Sequence, residues 1–244
     1  MTTLDNTCPL CNSNAMSLIS QDERHGRHFY LCRDCGLISV PPQYHLSVPD
    51  EIARYALHDN TVSNQGYVDF LSEVADVAVG IASEMPNTGL SMIDSEERSI
   101  KLLDFGCGSE AVLCRLLDRR EGIGVVIDCR PYDPLYDGLS GLPDAVDNDK
   151  YDIIVASEVV EHLRDIAGEL RRMVGLLRNG GAIILRTQLY DDSGVDASSA
   201  FKSWWYAQDP THINFFSRKS LDKLARIAGK RIEETAHRDI FILR

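Results

Sequence analysis

Four cysteines near the start of the chain have the spacing of metal ligands: Cys8-x2-Cys11 and Cys32-x2-Cys35, with 20 residues between the pairs. Two such knuckles can each give two thiolates to one tetrahedral Zn2+. They read Cys-Pro-Leu-Cys and Cys-Arg-Asp-Cys-Gly, and Gly36 permits the tight turn after the second pair. Four thiolates leave no open position, so the expected metal is structural. A redox dithiol is the competing reading of a Cys-x-x-Cys pair. A module of about 40 residues has little core of its own, and a bound metal would supply the missing stability.

A second constellation is Leu102-Leu103-Asp104-Phe105-Gly106-Cys107-Gly108, a short apolar run that ends in glycines and leads into a helix pattern. Ligands of open parallel sheets bind beyond the carboxyl ends of the strands. Glycines let backbone approach a ligand, and the free N–H groups of a helix start can hold a carboxylate. Asp104 stands before the glycines, where an acid can hold an amino group. No third glycine follows, and Glu110 stands in its usual place, which disfavours a pyrophosphate. The plain alternative is a tight strand-to-helix turn.

The third constellation is aromatic. Trp204, Trp205, Tyr206, Phe215 and Phe216 crowd one stretch that holds both tryptophans of the chain. Aromatic faces attract cations. Asp209-Pro210-Thr211-His212 lies inside it, and His212 is its one group that titrates near neutral pH. His212, Tyr206 and the earlier His58 are the candidate catalytic residues, with Tyr67 behind them. Against this stand a hydrophobic cap and a structural hydrogen bond from His212.

The elements that must position these groups follow from spacing. Residues 48–85 look largely helical, with Val68, Leu71, Ala75, Ala78 and Ala82 on one face. Pro86 and Gly89 would stop that helix, and residues 86–99 read as a linker. Residues 100–244 alternate strand and helix patterns. Strand runs are Leu102–Phe105, Ile123–Ile127, Tyr151–Ala156, Ala182–Leu185, Arg231–Glu234 and Ile240–Leu243. Ile166, Leu170, Met173, Val174 and Leu177 mark a helix that Gly180-Gly181 would end, and a last helix runs near Leu221–Ala228. Such alternation implies parallel βαβ units with helices on both sheet faces. Arg27–Leu31 reads as a strand between the knuckles.

The bulk numbers narrow the function. Of 244 residues, 44% are hydrophobic and 25% charged, as in globular chains, and no apolar run approaches the roughly 20 residues of a membrane span. Met1-Thr2-Thr3-Leu4-Asp5 shows no secretory start, so a cytoplasmic location is expected. A net charge of −12 speaks mildly against nucleic acid as substrate. Of seven cysteines, Cys107, Cys114 and Cys129 are scattered.

With these residues in view, Asp-Phe-Gly-Cys-Gly at 104–108 resembles motif I of class I S-adenosylmethionine (SAM) dependent methyltransferases. Ser157-Glu158-Val159-Val160-Glu161-His162-Leu163 resembles the family's segment after strand four, and Arg178-Asn179-Gly180-Gly181-Ala182-Ile183-Ile184 its loop into strand five. The resemblance covers about residues 100–244. Tyr55–Asn60, Gly66-Tyr67, Tyr132-Asp133-Pro134 and Trp204–Ser217 further resemble a bacterial subgroup with an N-terminal zinc ribbon. The resemblance implies a Rossmann-like, seven-stranded, mostly parallel sheet with helices on both faces. It implies a zinc ribbon at 1–41, a helical segment at 48–85 covering the pocket and a methyltransferase domain at 100–244.

It also implies SAM as cofactor, held by Asp104, Phe105, Gly106, Cys107, Gly108, Ser157 and Glu158, with an acid after strand two on the ribose. Asp128, 20 residues past Gly108, has the usual spacing, whereas Asp133 matches the subgroup's Tyr-Asp-Pro and is preferred. Glu161-His162 is expected to cap the next helix or line the pocket wall. Ser109-Glu110 departs from the family's Gly or Pro, and Glu110 would either repel the cofactor carboxylate or face solvent. The resemblance gives the cofactor and not the acceptor. A small metabolite is expected rather than nucleic acid, with no membrane partner. The alternatives are an RNA base methyltransferase with a zinc-ribbon reader and a non-enzymatic SAM-fold scaffold.

Overall fold

Strand and helix alternate along the chain much as the apolar spacing predicts. The computed structural model describes residues 7–85, 98–120, 124–136, 141, 150–191, 201 and 203–244. The linker expected at 86–99 lies outside these up to residue 97, as does Ile123. In chain order the elements are β1 (Met16–Asp22), β2 (Arg27–Cys32), β3 (Ile38–Ser39), α1 (Val48–Tyr55), α2 (Gln65–Glu84), β4 (Arg98–Phe105), α3 (Val112–Asp118) and β5 (Val125–Tyr132). There follow β6 (Tyr151–Ser157), α4 (Ile166–Leu176), β7 (Leu177–Arg186), β8 (Asn214–Phe215), α5 (Arg218–Ile227), β9 (Ile232–Glu234) and β10 (Ile240–Leu243). They form two compact units interleaved in sequence. One takes Met1–Leu57, Glu158–Arg172 and Thr187–Ile232; the other takes His58–Ser157, Met173–Arg186 and Glu233–Arg244. No described helix is long and apolar enough to cross a membrane.

The second unit carries the glycine loop. Its sheet runs in the order β5-β4-β6-β7-β10-β9, with β5, β4, β6 and β7 parallel and β10 antiparallel to β7. Central parallel strands are covered on both faces, and Leu102, Leu103, Ile153, Ile154, Ile183 and Ile184 are accordingly buried. The expected face of α2 packs on the sheet through Leu71, Ala75, Ala78 and Ala82, with Val68 partly buried and Val74 joining them. Two departures from expectation stand out. Seven strands is the count the resemblance implies; the described residues place six in this sheet, and these are the six runs the sequence itself marks. Gly180-Gly181 does not end the helix: α4 stops at Leu176, and the glycines lie inside β7. The ladder slips between Tyr151↔Leu177 and Ile153↔Ala182, so residues 178–181 form an irregular excursion, with Gly180 at φ +81°. Cys114 of α3 and Cys129 of β5 are joined by a disulfide that scattered spacing did not announce.

The first unit holds the knuckles. Its sheet runs β1-β2-β3-β8 and is antiparallel. β8 comes from far along the chain, pairing Ile38↔Phe215 and Ser39↔Asn214. The aromatic stretch is therefore part of the ribbon's own sheet and core. Phe29, Ile38, Val40, Tyr190, Phe201, Tyr206, Ile213 and Phe215 form one buried cluster. Arg27 of β2, only 1% exposed, donates to the carbonyls of Ala207, Asp209 and His212 at 2.8, 2.8 and 3.1 Å and pairs with Asp22 at 3.0 Å. A buried charge is tolerable only with such a full set of partners.

Candidate metal and cofactor sites

The knuckle sulfurs converge. Cys8 Sγ lies 3.6 Å from Cys35 Sγ, and Cys11 Sγ 3.6 Å from Cys32 Sγ. All four lie within 4.8 Å of one another. A tetrahedral Zn2+ with bonds of about 2.3 Å sets its sulfurs about 3.8 Å apart, so this donor set fits zinc. The backbone makes the turn: Gly36, at φ +77°, donates from its N–H to the Cys32 carbonyl, and Cys32 N–H donates to Leu37. The hydrogen bond between Cys8 and Cys35 brings the Cys8 thiol down to about 5, while the same contact and burial drive Cys35 upward.

The glycine loop is built by β4 running out at Phe105. Gly106 and Gly108 have φ of +81° and +68°, left-handed values that glycine adopts without strain. Gly106 and Cys107 both donate from their N–H groups to the Tyr132 carbonyl, tying the loop to the end of β5. Asp133 follows that strand end. Its Oδ2 accepts from Gly108 N–H at 3.0 Å and its Oδ1 from Leu135 N–H at 2.9 Å. Asp104 is 4% exposed, and burial, reinforced by the charge of Asp133, pushes its carboxyl up to about 7. Ser157 ends β6, and its Oγ is buried without a hydrogen-bond partner among the described residues. A cation beside Asp104 and a polar group at Ser157 would satisfy both, so these residues fit a ligand that carries an amine. Asp128 sits within β5 on its exposed face.

Glu110 is partly exposed, and its charge is balanced there. Its Oε2 accepts from Val62 N–H at 3.1 Å and lies 3.6 Å from Arg115. The residue after it, Ala111, takes φ +48°, so the turn into α3 is left-handed without a third glycine.

In the other unit, Glu158 follows β6 with φ +54°, an uncommon conformation for a non-glycine residue. Val160–His162 form one 3-10 turn. Glu161 is fully buried rather than capping a helix at the surface. Its carboxylate accepts from the Tyr206 hydroxyl and, at 3.3 Å, from Thr187. Burial pushes it up to about 7, and the Glu158 side chain is also in hydrogen-bonding reach. Tyr206 is driven well above its ordinary value, first by burial and then by Glu161, so its phenol stays protonated. His212 is 7% exposed, and its Nδ1 lies 2.7 Å from the Tyr206 carbonyl. The His212 ring lies 4.1 Å from the Tyr206 ring and 4.7 Å from that of His162. The structure thus brings His212 and Tyr206 together around an acid expected from the sequence to cap a helix or line the pocket wall. His58 opens the other unit and is exposed. Glu161-His162 carried a signal in its adjacent ligand-type residues, but nothing in the sequence joins it to His212.

A family model described as a methyltransferase domain matches residues 82–235, more than half of the chain. The chain is similar to a malonyl-[acyl-carrier protein] O-methyltransferase of Acetivibrio thermocellus, 26% identical over 125 residues, which cover 46% of this chain and 44% of that protein. It therefore spans under half the length of that relative. Among solved structures it is similar to an O-methyltransferase family protein from Burkholderia thailandensis, at 16% identity and TM-score 0.46, covering 79% of this chain and 61% of that one. It is also similar to the CMeT domain of a citrinin polyketide synthase, at 16% identity and TM-score 0.49, covering 83% and 57%.

Proposed function

We propose that this chain, which belongs to the methyltransferase domain family, moves a methyl group from SAM to a small-molecule acceptor. The observation that carries the reading is Asp104, a buried carboxyl at the end of a parallel strand, followed by two left-handed glycines, with the unsatisfied Ser157 hydroxyl at the end of the neighbouring parallel strand. In this reading Asp104 holds the amino group of the methionine moiety. Asp133 takes the ribose hydroxyls, Phe105 to Gly108 form the loop against the cofactor, and Ser157 and Glu158 edge its site. SAM, when bound, supplies a methyl group on a sulfonium sulfur.

Transfer of that kind is an in-line displacement, which needs alignment first. His212, Tyr206 and His58 belong to the acceptor side of the proposal. Tyr206, held protonated, can orient an acceptor but not deprotonate it. The acceptor is a small molecule because the net charge of −12 disfavours a phosphate backbone. Residues 1–41 serve as the zinc ribbon, 48–85 as a helical segment and 100–244 as the transfer domain. The proposed location is cytoplasmic.

Calorimetry of the full chain with SAM and S-adenosylhomocysteine tests the reading. Binding that Asp104→Ala weakens about ten- to hundred-fold supports it. Absence of binding at millimolar ligand, by chain whose melting transition is intact, would sink it.

A further inference from the structure

We infer that Glu161, His162 and His212 form a second metal site, which takes one first-row divalent transition cation and leaves coordination positions open. The ligand atoms these three offer all lie within 4.8 Å of one another. A cation bonded at about 2.0–2.2 Å from each needs them about 3–4 Å apart, a closure that small side-chain rotations supply.

The orientation of the imidazoles is the second observation. His162 Nδ1 lies 3.0 Å from the Thr211 carbonyl, and His212 Nδ1 lies 2.7 Å from the Tyr206 carbonyl. A carbonyl only accepts, so each Nδ1 carries the proton and each neutral ring keeps its lone pair on Nε2. Metal-bound histidines are held in this way, with the far N–H given to a carbonyl that fixes tautomer and ring direction. The carboxylate is supported likewise, by the Tyr206 and Thr187 hydroxyls.

The backbone beneath the ligands is pinned as well. Ile213 N–H donates to the Glu161 carbonyl at 2.9 Å, and Asn214 donates to that of Leu163 at 2.7 Å. Arg27 holds the His212 carbonyl. Two rings, each tied through Nδ1 to its own carbonyl and each with a nitrogen within 4.8 Å of one buried carboxylate, are more than a cap requires.

Two imidazoles and one carboxylate suit Mn2+, Fe2+, Co2+ or Zn2+ better than Mg2+ or Ca2+, which favour all-oxygen sets. Three protein ligands leave room for water or for an oxygen donor of a second molecule, unlike the closed four-thiolate site. An acceptor hydroxyl or carboxylate bound there would be held and made more acidic. The site does not depend on the transfer reading, because its test is cation binding.

The experiment uses the full chain with one zinc on the cysteines, titrated with Co2+ as the probe. Uptake of one further equivalent is expected, with weak visible bands of nitrogen and oxygen coordination and zinc retained. His162→Gln and His212→Gln should each weaken that uptake about ten-fold or more. In the unaltered chain, bound Co2+ should erase the imidazole 15N signals of His162 and His212 and spare the other five of seven histidines. The proposal is overturned if wild-type chain takes up no Co2+ beyond the thiolate site at millimolar concentration. It is overturned equally if the bands are those of cobalt thiolate alone, or if the 15N losses fall on other histidines.

Discussion

The two clusters of the knuckle unit are assembled in opposite ways. The cysteine cluster draws four ligands from two short turns, and each turn brings its ligands together by its own backbone geometry. The Glu161, His162 and His212 cluster draws two adjacent residues from one 3-10 turn and the third from a segment 50 positions later. Its geometry is imposed by packing: Arg27 on three carbonyls, Tyr206 and Thr187 on a carboxylate, β8 on β3. Ligands that make their own turn leave a spacing in the sequence. Ligands placed by a shared core leave none.

The largest effect expected would show whether the first cluster supports the second. Metal binding to zinc-finger peptides is worth about 10–16 kcal/mol, so stripping zinc or changing Cys32→Ser should unfold the ribbon sheet. Because β3 pairs with β8, the loss should reach the aromatic stretch. Both tryptophans, Trp204 and Trp205, lie there, and their emission and near-UV circular dichroism report it. A zinc-free chain with unchanged tryptophan signals would separate the two clusters.

Next in size is Arg27→Ala. It removes a buried cation from Asp22 and three carbonyls and should cost about 3–5 kcal/mol in urea unfolding. Arg27→Lys should recover little, since one ammonium cannot reproduce the guanidinium fork. A loss under about 1 kcal/mol for Arg27→Ala would mean that the histidine segment is held by its aromatic packing alone.

These same features mark how far the sequence could be read. Strands β4, β6 and β7 were legible because buried parallel strands are continuous apolar runs, and α2 because its apolar positions recur at helical spacing. The cysteine spacing survives as convergence of four sulfurs. Three things were not legible. Arg27 read only as the first residue of a strand, because its carbonyl partners lie about 180 positions away. The Cys114–Cys129 link joins residues whose spacing has no motif. The pairing of β3 with β8 rests on two-residue strands, too short to leave a periodic pattern.

The glycine-loop unit offers the next test. Losing a charge-assisted hydrogen bond to the cofactor amine should cost Asp104→Ala about 1.5–3 kcal/mol of SAM affinity by calorimetry. The pH dependence follows from the position of its carboxyl near 7. An acid raised by folding stabilises the ligand-free chain below its unfolded value near 3.8, and that contribution fades as pH rises through 7. The amine binds the ionised form, so affinity should rise with pH up to about 7 and level off. Asp104→Asn should remove both slopes, and a variant that keeps them would assign the titration elsewhere.

The smallest effect belongs to Asp128, and it decides between two acids that spacing alone leaves open. β5 alternates: Val125 and Ile127 are buried, whereas Val126, Asp128 and Arg130 are exposed. Asp128 therefore lies on an outward-facing position within the strand, four residues before the strand ends at Tyr132. Ligands of parallel sheets gather past the carboxyl ends of strands, where Asp133 stands. Asp133 is also tied to the glycine loop through Gly108 N–H, so its removal should loosen the loop as well as lose a ligand contact. Asp133→Ala is expected to weaken SAM by about 1.5–3 kcal/mol. Asp128→Ala should stay within about 0.5 kcal/mol in both binding and stability, as exposed substitutions do. Asp133→Asn sharpens the test, because its amide oxygen can still accept from Gly108, at the loss of the Leu135 contact, while the charge is gone. If Asp133→Asn keeps the loop's melting behaviour but loses SAM, the acid contacts the ribose. If it binds normally and Asp128→Ala does not, the ribose acid is Asp128, and the resemblance to Tyr-Asp-Pro misassigns it.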